Sequence, residues 1–216
     1  MVEQRRLWSE NELIDFRKRW RAITIPVNKK IENDRVVLNL DQSYLILERA
    51  DKIALTDCIC RSTLQNCEKP KKVCLFLNND AEKVVQNGRA RWISKIRAKK
   101  LVKLTHEAGL AHQTIFHPED KEKVPGVLCS CCECCCHALQ GLIRLNMYDL
   151  VTPSQFIAST NWEDCHNCGK CVERCVFGAR TREVGKKIRY NPDRCFGCGL
   201  CVTTCPRKTI ELNKRI

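Results

Sequence analysis

The chain has 216 residues, with 38 Lys+Arg against 25 Asp+Glu for a formal net charge of +13, and 18 cysteines. Its length holds one large domain or two. No apolar run approaches the ~18 residues of a membrane span, and no Ser-His-Asp set, phosphate loop or dinucleotide fingerprint occurs. Hydrolysis and nucleotide chemistry therefore have no support. The cysteine spacings suit metal rather than a disulfide framework. Arg5 and Arg6 could open a twin-arginine signal, but Glu10, Glu12, Asp15 and Arg17 stand where its apolar core would follow. A reducing, anaerobic cytoplasm is the expected setting.

In chain order, residues 11–21 set Leu13, Ile14, Phe16 and Trp20 among charges, predicting an amphipathic helix opened by Ser9 and Glu12. Residues 23–26 read as a short extended piece, 35–40 as a strand, 42–50 as a helix and 52–56 as a buried strand. That strand leads into Cys58, Cys60 and Arg61, followed by Cys67 and Cys74. Cys58 and Cys60 read as ligands, while Cys74, within Val73-Cys74-Leu75-Phe76-Leu77, reads as core packing. Arg61 is a candidate hydrogen-bond donor to a cluster sulfur or to an acidic partner, or else an ordinary surface ion pair.

Ser94 is placed to cap a helix with the stripe Ala98, Leu101, Val102, Thr105 and Ala108, stopped by Gly109 and followed by a strand over 110–116. Arg89, Arg91, Lys95, Arg97, Lys99, Lys100 and Lys103 lie along this segment with no acidic residue among them. A basic helix followed by a strand is similar to part of a winged-helix domain. The reading adopted is a solvated helix face, since no aromatic interleaving accompanies the charge. His106, His112 and His117 have no ligand spacing.

Six thiols in eight residues follow: Cys129, Cys131, Cys132, Cys134, Cys135 and Cys136, then His137. Such a density is an oxidation hazard unless most are coordinated or buried. Adjacent residues point apart, so a subset of these and Cys67 is expected to join Cys58 and Cys60 in a third site, holding an iron–sulfur cluster, or zinc bound by three cysteines and His137. The cysteine pairs are similar to the non-cubane cluster sites of heterodisulfide reductase catalytic subunits, although those use Cys-Cys-Gly and here the pairs precede Glu133 and His137. A helix over 141–148 and a linker over 153–160 come next, with Trp162 as a lid over one cluster.

The C-terminal stretch carries Cys165, Cys168, Cys171 and Cys175, then Cys195, Cys198, Cys201 and Cys205, two C-x2-C-x2-C-x3-C runs. Three closely spaced thiolates converge on one [4Fe–4S] cube, and the fourth, a helical turn on, points at its neighbour. Cys165, Cys168, Cys171 and Cys205 are expected to hold one cluster, and Cys195, Cys198, Cys201 and Cys175 the other. The arrangement resembles the bacterial two-cluster ferredoxins over roughly residues 161–212. Val176 departs from that pattern, which has proline after the fourth cysteine, as Pro206 follows Cys205. A hairpin over 181–190 turning at Gly185-Lys186 joins the halves. His166 reads as a solvent-facing spacer.

The expected fold class is α+β, with a mixed α/β cysteine-rich domain over 1–152, the linker, and a ferredoxin-type two-cluster domain of β-hairpin and short helices over 161–216. Two oxidised clusters with thiolate ligands would lower the net charge to roughly +9. An acidic redox protein or enzyme subunit is the expected partner. Electron transfer to the N-terminal site or to a docked enzyme is the leading function. The alternatives are an oxidoreductase or reductive activator with the third centre as active site, and a redox-sensing nucleic-acid binder. Whether the chain is itself an enzyme stays open.

Overall fold

The structure, a computed structural model, describes residues 6–19, 35–116 and 124–215. Residues 20 and 21 of the first predicted helix, the extended piece over 23–26, and His117 lie outside them. The first helix, α1 (Glu10–Arg19), begins in a reciprocal cap, in which Ser9 Oγ accepts from the Glu12 amide and the Glu12 carboxylate accepts from the Ser9 amide.

There follow β1 (Arg35–Leu38), α2 (Leu40–Arg49), β2 (Ile53–Thr56), α3 (Ile59–Leu64), β3 (Cys74–Leu77), α4 (Asn78–Gln86), β4 (Arg91–Trp92), α5 (Lys95–Glu107), β5 (Ala111–Phe116) and β6 (Pro125–Cys131). The six strands form one antiparallel sheet in the order β1-β5-β6-β3-β2-β4.

Period-two alternation divides this sheet cleanly. Leu38, Leu55, Leu75, Leu77 and Leu128 face one way and pack with Leu47 of α2 and with Ala98 and Val102 of α5. Val37, Ala111, Cys129 and Cys131 face the other way, toward α6 (His137–Leu145) and the C-terminal unit. Helix α5 starts at Ser94, whose hydroxyl accepts from the Arg97 amide, and Gly109 follows its end at φ +79°. Lys95 donates to the Glu48 carbonyl and Lys99 pairs with the Glu48 carboxylate, so two cations of the basic segment are engaged by α2.

Helix α6 begins at His137, four residues before the predicted 141. The correction has a packing reason: Ala138, Leu139 and Leu142 supply the buried stripe, and the cysteine run before them hid the start of the period.

The predicted linker is also corrected. Within it, β7 (Phe156–Thr160) pairs antiparallel with the last strand, and so belongs to the C-terminal unit. That unit continues with α7 (Lys170–Glu173), the hairpin β8 (Arg180–Thr181) and β9 (Arg189–Tyr190), α8 (Leu200–Thr204) and β10 (Ile210–Lys214).

The segment between the two units is held to both by backbone hydrogen bonds, and a side-chain contact joins the units directly. Val36 and Thr152 form a parallel bridge, with the Val37 amide donating to Thr152 O at 2.9 Å and the Thr152 amide to Arg35 O at 2.8 Å. The Ser154 amide donates to Phe196 O at 3.0 Å, and His106 Nε2 lies 2.9 Å from Thr203 Oγ1. No helix among the described residues is long and apolar enough to cross a membrane.

Candidate metal centres

The C-terminal cysteines wall two cavities. One, of about 130 Å³, is lined by Cys165, Cys168, Cys171 and Cys205, with Trp162, His166, Lys170, Pro206 and Arg207 at its side. The second and narrower one is lined by Cys175, Cys195, Cys198 and Cys201, with Phe177, Phe196, Tyr190 and Leu212. Each cavity thus takes three cysteines from one run and the fourth from the other.

The chain arrives at these positions through repeated local geometry. Gly169 and Gly199, at φ +84° and +77°, turn the backbone into α7 and α8, which carry Cys171 and Cys201. Gly197 has a harder constraint: at φ +67° its missing Cβ would stand 2.0 Å from the Phe156 carbonyl oxygen of β7.

The two cavities differ in exposure. Cys168 is exposed and Trp162 half open, whereas Cys195, Cys198 and Cys201 are buried. Burial pushes the Cys198 thiol up, and that of Cys201 up to about 11 against the opposing pull of Arg180. Thiols held in that state ionise when a metal binds them, which matches a donor set for metal–sulfur cores.

Arg180 lines both cavities. Its side chain is buried, lies 4.7 Å over the Tyr190 ring and donates to Thr160 Oγ1 at 2.9 Å. Its Nε and Nη1 are buried with no protein acceptor. Orphan donors of a buried cation, aimed between two thiol-lined cavities, suit anionic clusters with sulfur acceptors. The sequence reading missed this residue, because an arginine five places after Cys175 looks like any other cation.

The N-terminal cysteines form two separate groups. Cys67, Cys132, Cys134 and Cys135 bring four sulfurs within 4.8 Å of one another. Beside them runs a row in which Cys58 contacts Cys60, Cys60 contacts Cys136, Cys136 contacts Cys131, Cys131 contacts Cys129 and Cys129 contacts Cys74. Neighbouring buried thiols share protons, so their acidities alternate. Cys58, Cys136 and Cys129 are drawn down, mainly by accepting hydrogen bonds from their neighbours, while Cys60, Cys131 and Cys74 are pushed up as the donors. Cys58 and Cys136 also occupy the N-caps of α3 and α6, where helix ends favour an anion.

The single third site expected from the sequence is therefore divided, with Cys58 and Cys60 in a different group from Cys67. His137 lies with the row, its Nδ1 3.0 Å from Cys60 Sγ, and burial lowers its pKa to about 4. Cys74, read as core packing, belongs to the row as well. Sequence spacing carries no sign of this: it is the antiparallel pairing of Leu75 with Leu128 that brings Cys74 beside Cys129. Arg61 is fully buried and holds the two groups together, donating to Pro70 O and Ser130 O and reaching Cys132 Sγ at 3.6 Å.

The row meets the inner cavity through one continuous core. Cys131 and Cys136 pack with Phe177, Phe196, Cys198 and Leu200, and the two phenylalanine rings stack at 4.4 Å. Of the other histidines, His106 and His112 are buried and stacked on each other, and His166 is exposed beside the outer cavity.

Residues 164–210 match the family model of the 4Fe-4S dicluster domain. A subunit of pyruvate synthase, PorD of Thermotoga maritima, is 40% identical over 50 residues, 23% of this chain and 50% of that protein. The polyferredoxin protein MvhB of Methanothermobacter marburgensis is 41% identical over 91 residues, 37% of this chain and 20% of that protein. The thiosulfate reductase electron transfer subunit PhsB of Salmonella typhi is 27% identical over 95 residues, 39% of this chain and 50% of that protein. The chain spans half or less of the length of these three relatives. Within the C-terminal unit, residues 164–210 thus form a ferredoxin-type 4Fe-4S domain.

Proposed function

We propose that the chain is an iron–sulfur electron-transfer protein of two units, residues 1–152 and, from β7 onward, 156–216. Cys165, Cys168, Cys171 and Cys205 would hold one [4Fe–4S] cluster, and Cys195, Cys198, Cys201 and Cys175 the other. The observation that carries this reading is the lining of the two cavities, each by a complete set of four cysteines drawn from both runs. The clusters, when bound, supply one-electron transfer at low potential. The chain's part is to hold them, exclude water around the inner one with Phe177, Phe196 and Leu212, and place Arg180 between them.

The relatives named above include an electron transfer subunit and subunits of enzyme complexes, which supports a role beside an enzyme. The outer cavity is the docking end in this reading. It has the exposed Cys168 and Trp162, and Lys170 and Arg207 at its wall attract an acidic redox partner. The inner cavity is the internal end, since its phenylalanines reach Cys131 and Cys136. That continuity favours a second reading in which the N-terminal thiols are themselves the reaction site of an oxidoreductase. Substrate turnover by the isolated chain would separate the two. The basic face of α5 gives less support to nucleic-acid binding, because Lys95 and Lys99 are engaged by Glu48.

Anaerobic reconstitution tests the assignment. The C-terminal unit should take roughly eight irons with matching sulfide. Cys205→Ala should damage the cluster of Cys165, Cys168 and Cys171, and abolish the spectroscopic coupling of two reduced clusters. Selective loss of the Cys195, Cys198 and Cys201 cluster would show that ligation is local and the reading wrong.

A further inference from the structure

The four-sulfur group of the N-terminal unit differs from the cluster cavities in scale. Cys67 Sγ and Cys132 Sγ are 3.8 Å apart, as are Cys134 Sγ and Cys135 Sγ, and all four lie within 4.8 Å. Four thiolates bound at about 2.3 Å to the corners of a tetrahedron around a single ion stand about 3.8 Å apart. A cube needs more room, since its four ligands sit on four different irons.

The surroundings hold this arrangement in place. After α3, Gln65 adopts a left-handed conformation that turns the chain toward Cys67. The turn carrying the other three closes through the Cys136 amide on Cys132 O at 3.0 Å. Its carbonyls are pinned from outside: Asn66 and Gln140 donate to Cys134 O at 2.7 and 2.8 Å, and Trp8 Nε1 donates to Cys135 O at 2.9 Å. Three side chains from three segments thus fix the orientation of adjacent cysteines that would otherwise point apart. Leu64 and Leu110 close the apolar floor. Beside the sulfurs lies the buried guanidinium of Arg61.

We propose that Cys67, Cys132, Cys134 and Cys135 form a closed tetrathiolate site for a single thiophilic divalent ion, Zn2+ or Fe2+, distinct from the clusters of the C-terminal unit. Counted from four neutral thiols, binding releases four protons to solvent and leaves a complex of net charge −2, which the Arg61 cation partly offsets. With four protein ligands the ion has no open position, so its role is structural. It ties the loop after α3 to the turn before α6, and so fixes the two segments that also carry the neighbouring row from Cys58 to Cys74.

The test uses the full chain, purified anaerobically, with zinc, iron and sulfide measured per chain. Cys67→Ala and Cys134→Ala should each lower zinc or iron by one equivalent, with no loss of sulfide and with the [4Fe–4S] absorption and paramagnetic signals unchanged. Cys74→Ala should retain the ion. Loss of zinc identifies one source and loss of iron without sulfide the other, and either supports the site. Loss of iron together with sulfide overturns it in favour of a third cluster, and unchanged metal content overturns it outright. Should the variants fail to fold, X-ray absorption on the zinc-loaded wild-type chain decides: a single shell of four sulfurs at about 2.3 Å is expected, and nitrogen or oxygen ligands refute the assignment. The ion and the clusters are counted separately, so either assignment can fail while the other stands.

Discussion

Arg180→Met places the electrostatic logic of the C-terminal unit under direct test. The guanidinium is 2% exposed and lines both cysteine-walled cavities, so the substitution removes one charge from both sites at once. For a charge about 6 Å away at an effective dielectric constant near 20, the interaction with an added electron is about 2.8 kcal/mol. A one-electron couple shifts by ~59 mV for each ~1.4 kcal/mol, so the upper expectation is a fall of roughly 120 mV. Water entering the space left by the guanidinium would lower that, and a fall of roughly 50–100 mV is the working figure. The direction is fixed, because losing a cation makes each reduction harder. Methionine has nearly the length of the arginine stem, which limits packing loss, and Arg180→Lys retains the charge without the fork. Redox titration followed by paramagnetic resonance would read both couples in the reconstituted chain. Potentials unchanged within ~15 mV, at full cluster content, would refute the placement of this cation between the two centres, and so would a rise.

Gly197→Ala should prevent the inner site from forming, since its Cβ would sit 2.0 Å from a backbone oxygen of β7 at a positive φ; iron falling from about eight to about four per C-terminal unit would be the signature, and wild-type content would contradict it. Arg61→Met should weaken ion retention at the tetrathiolate by roughly 10–100-fold, as loss of a buried partner to a ligand does, measured by chelator competition; equal retention would leave Arg61 with a packing role alone. Burial holds His106 down to about 4 and His112 to about 3, below the 6.5 of the unfolded chain. The unfolded state then binds more protons below pH 6.5, so the stability of these neutral rings is complete above that pH. It falls by on the order of 6 kcal/mol, roughly 3 from each ring, on acidification to about pH 4. His106→Gln should flatten the slope of urea midpoints over that window, and parallel slopes would contradict the argument.

Much of the C-terminal unit was legible because its chemistry is written at fixed spacing. Cysteines three apart must share a turn, and the glycines and Pro192 beside them mark where the turns occur. In the N-terminal unit the strands and helices with clear periods, such as α2, α5 and β5, were read within a few residues. The partition of its ten thiols was not. Which sulfurs meet depends on strand pairing between β3 and β6 and on the turn before α6, both long-range matters that spacing does not encode. Arg61 was recognised by its position between cysteines, whereas Arg180 acquires its role only when β8 folds between two cavities. The basic helix was read as a solvated face, but charge in sequence does not reveal that Glu48, some 50 residues earlier, engages two of its cations.

The burial of the inner site follows from how the second run is placed, and it ties the two units together. Gly197 rests against β7, Phe196 stacks on Phe177, and both rings face α6 and the sheet side carrying Cys131. Cutting the chain near residue 158 would remove Phe156 and Ile157 from the strand that pairs with β10, and would expose both phenylalanines. At about 25 cal/mol per Å2, uncovering two aromatic side chains costs on the order of several kcal/mol. The outer site has no comparable dependence, since Trp162, Pro206 and Arg207 of the C-terminal unit wall it. A fragment so cut should therefore lose its inner cluster first, on dilution or mild heating, although the sequence repeat makes the two halves look equivalent. The N-terminal unit accordingly supplies the dry surface that the inner cavity lacks on its own, in addition to its own thiols.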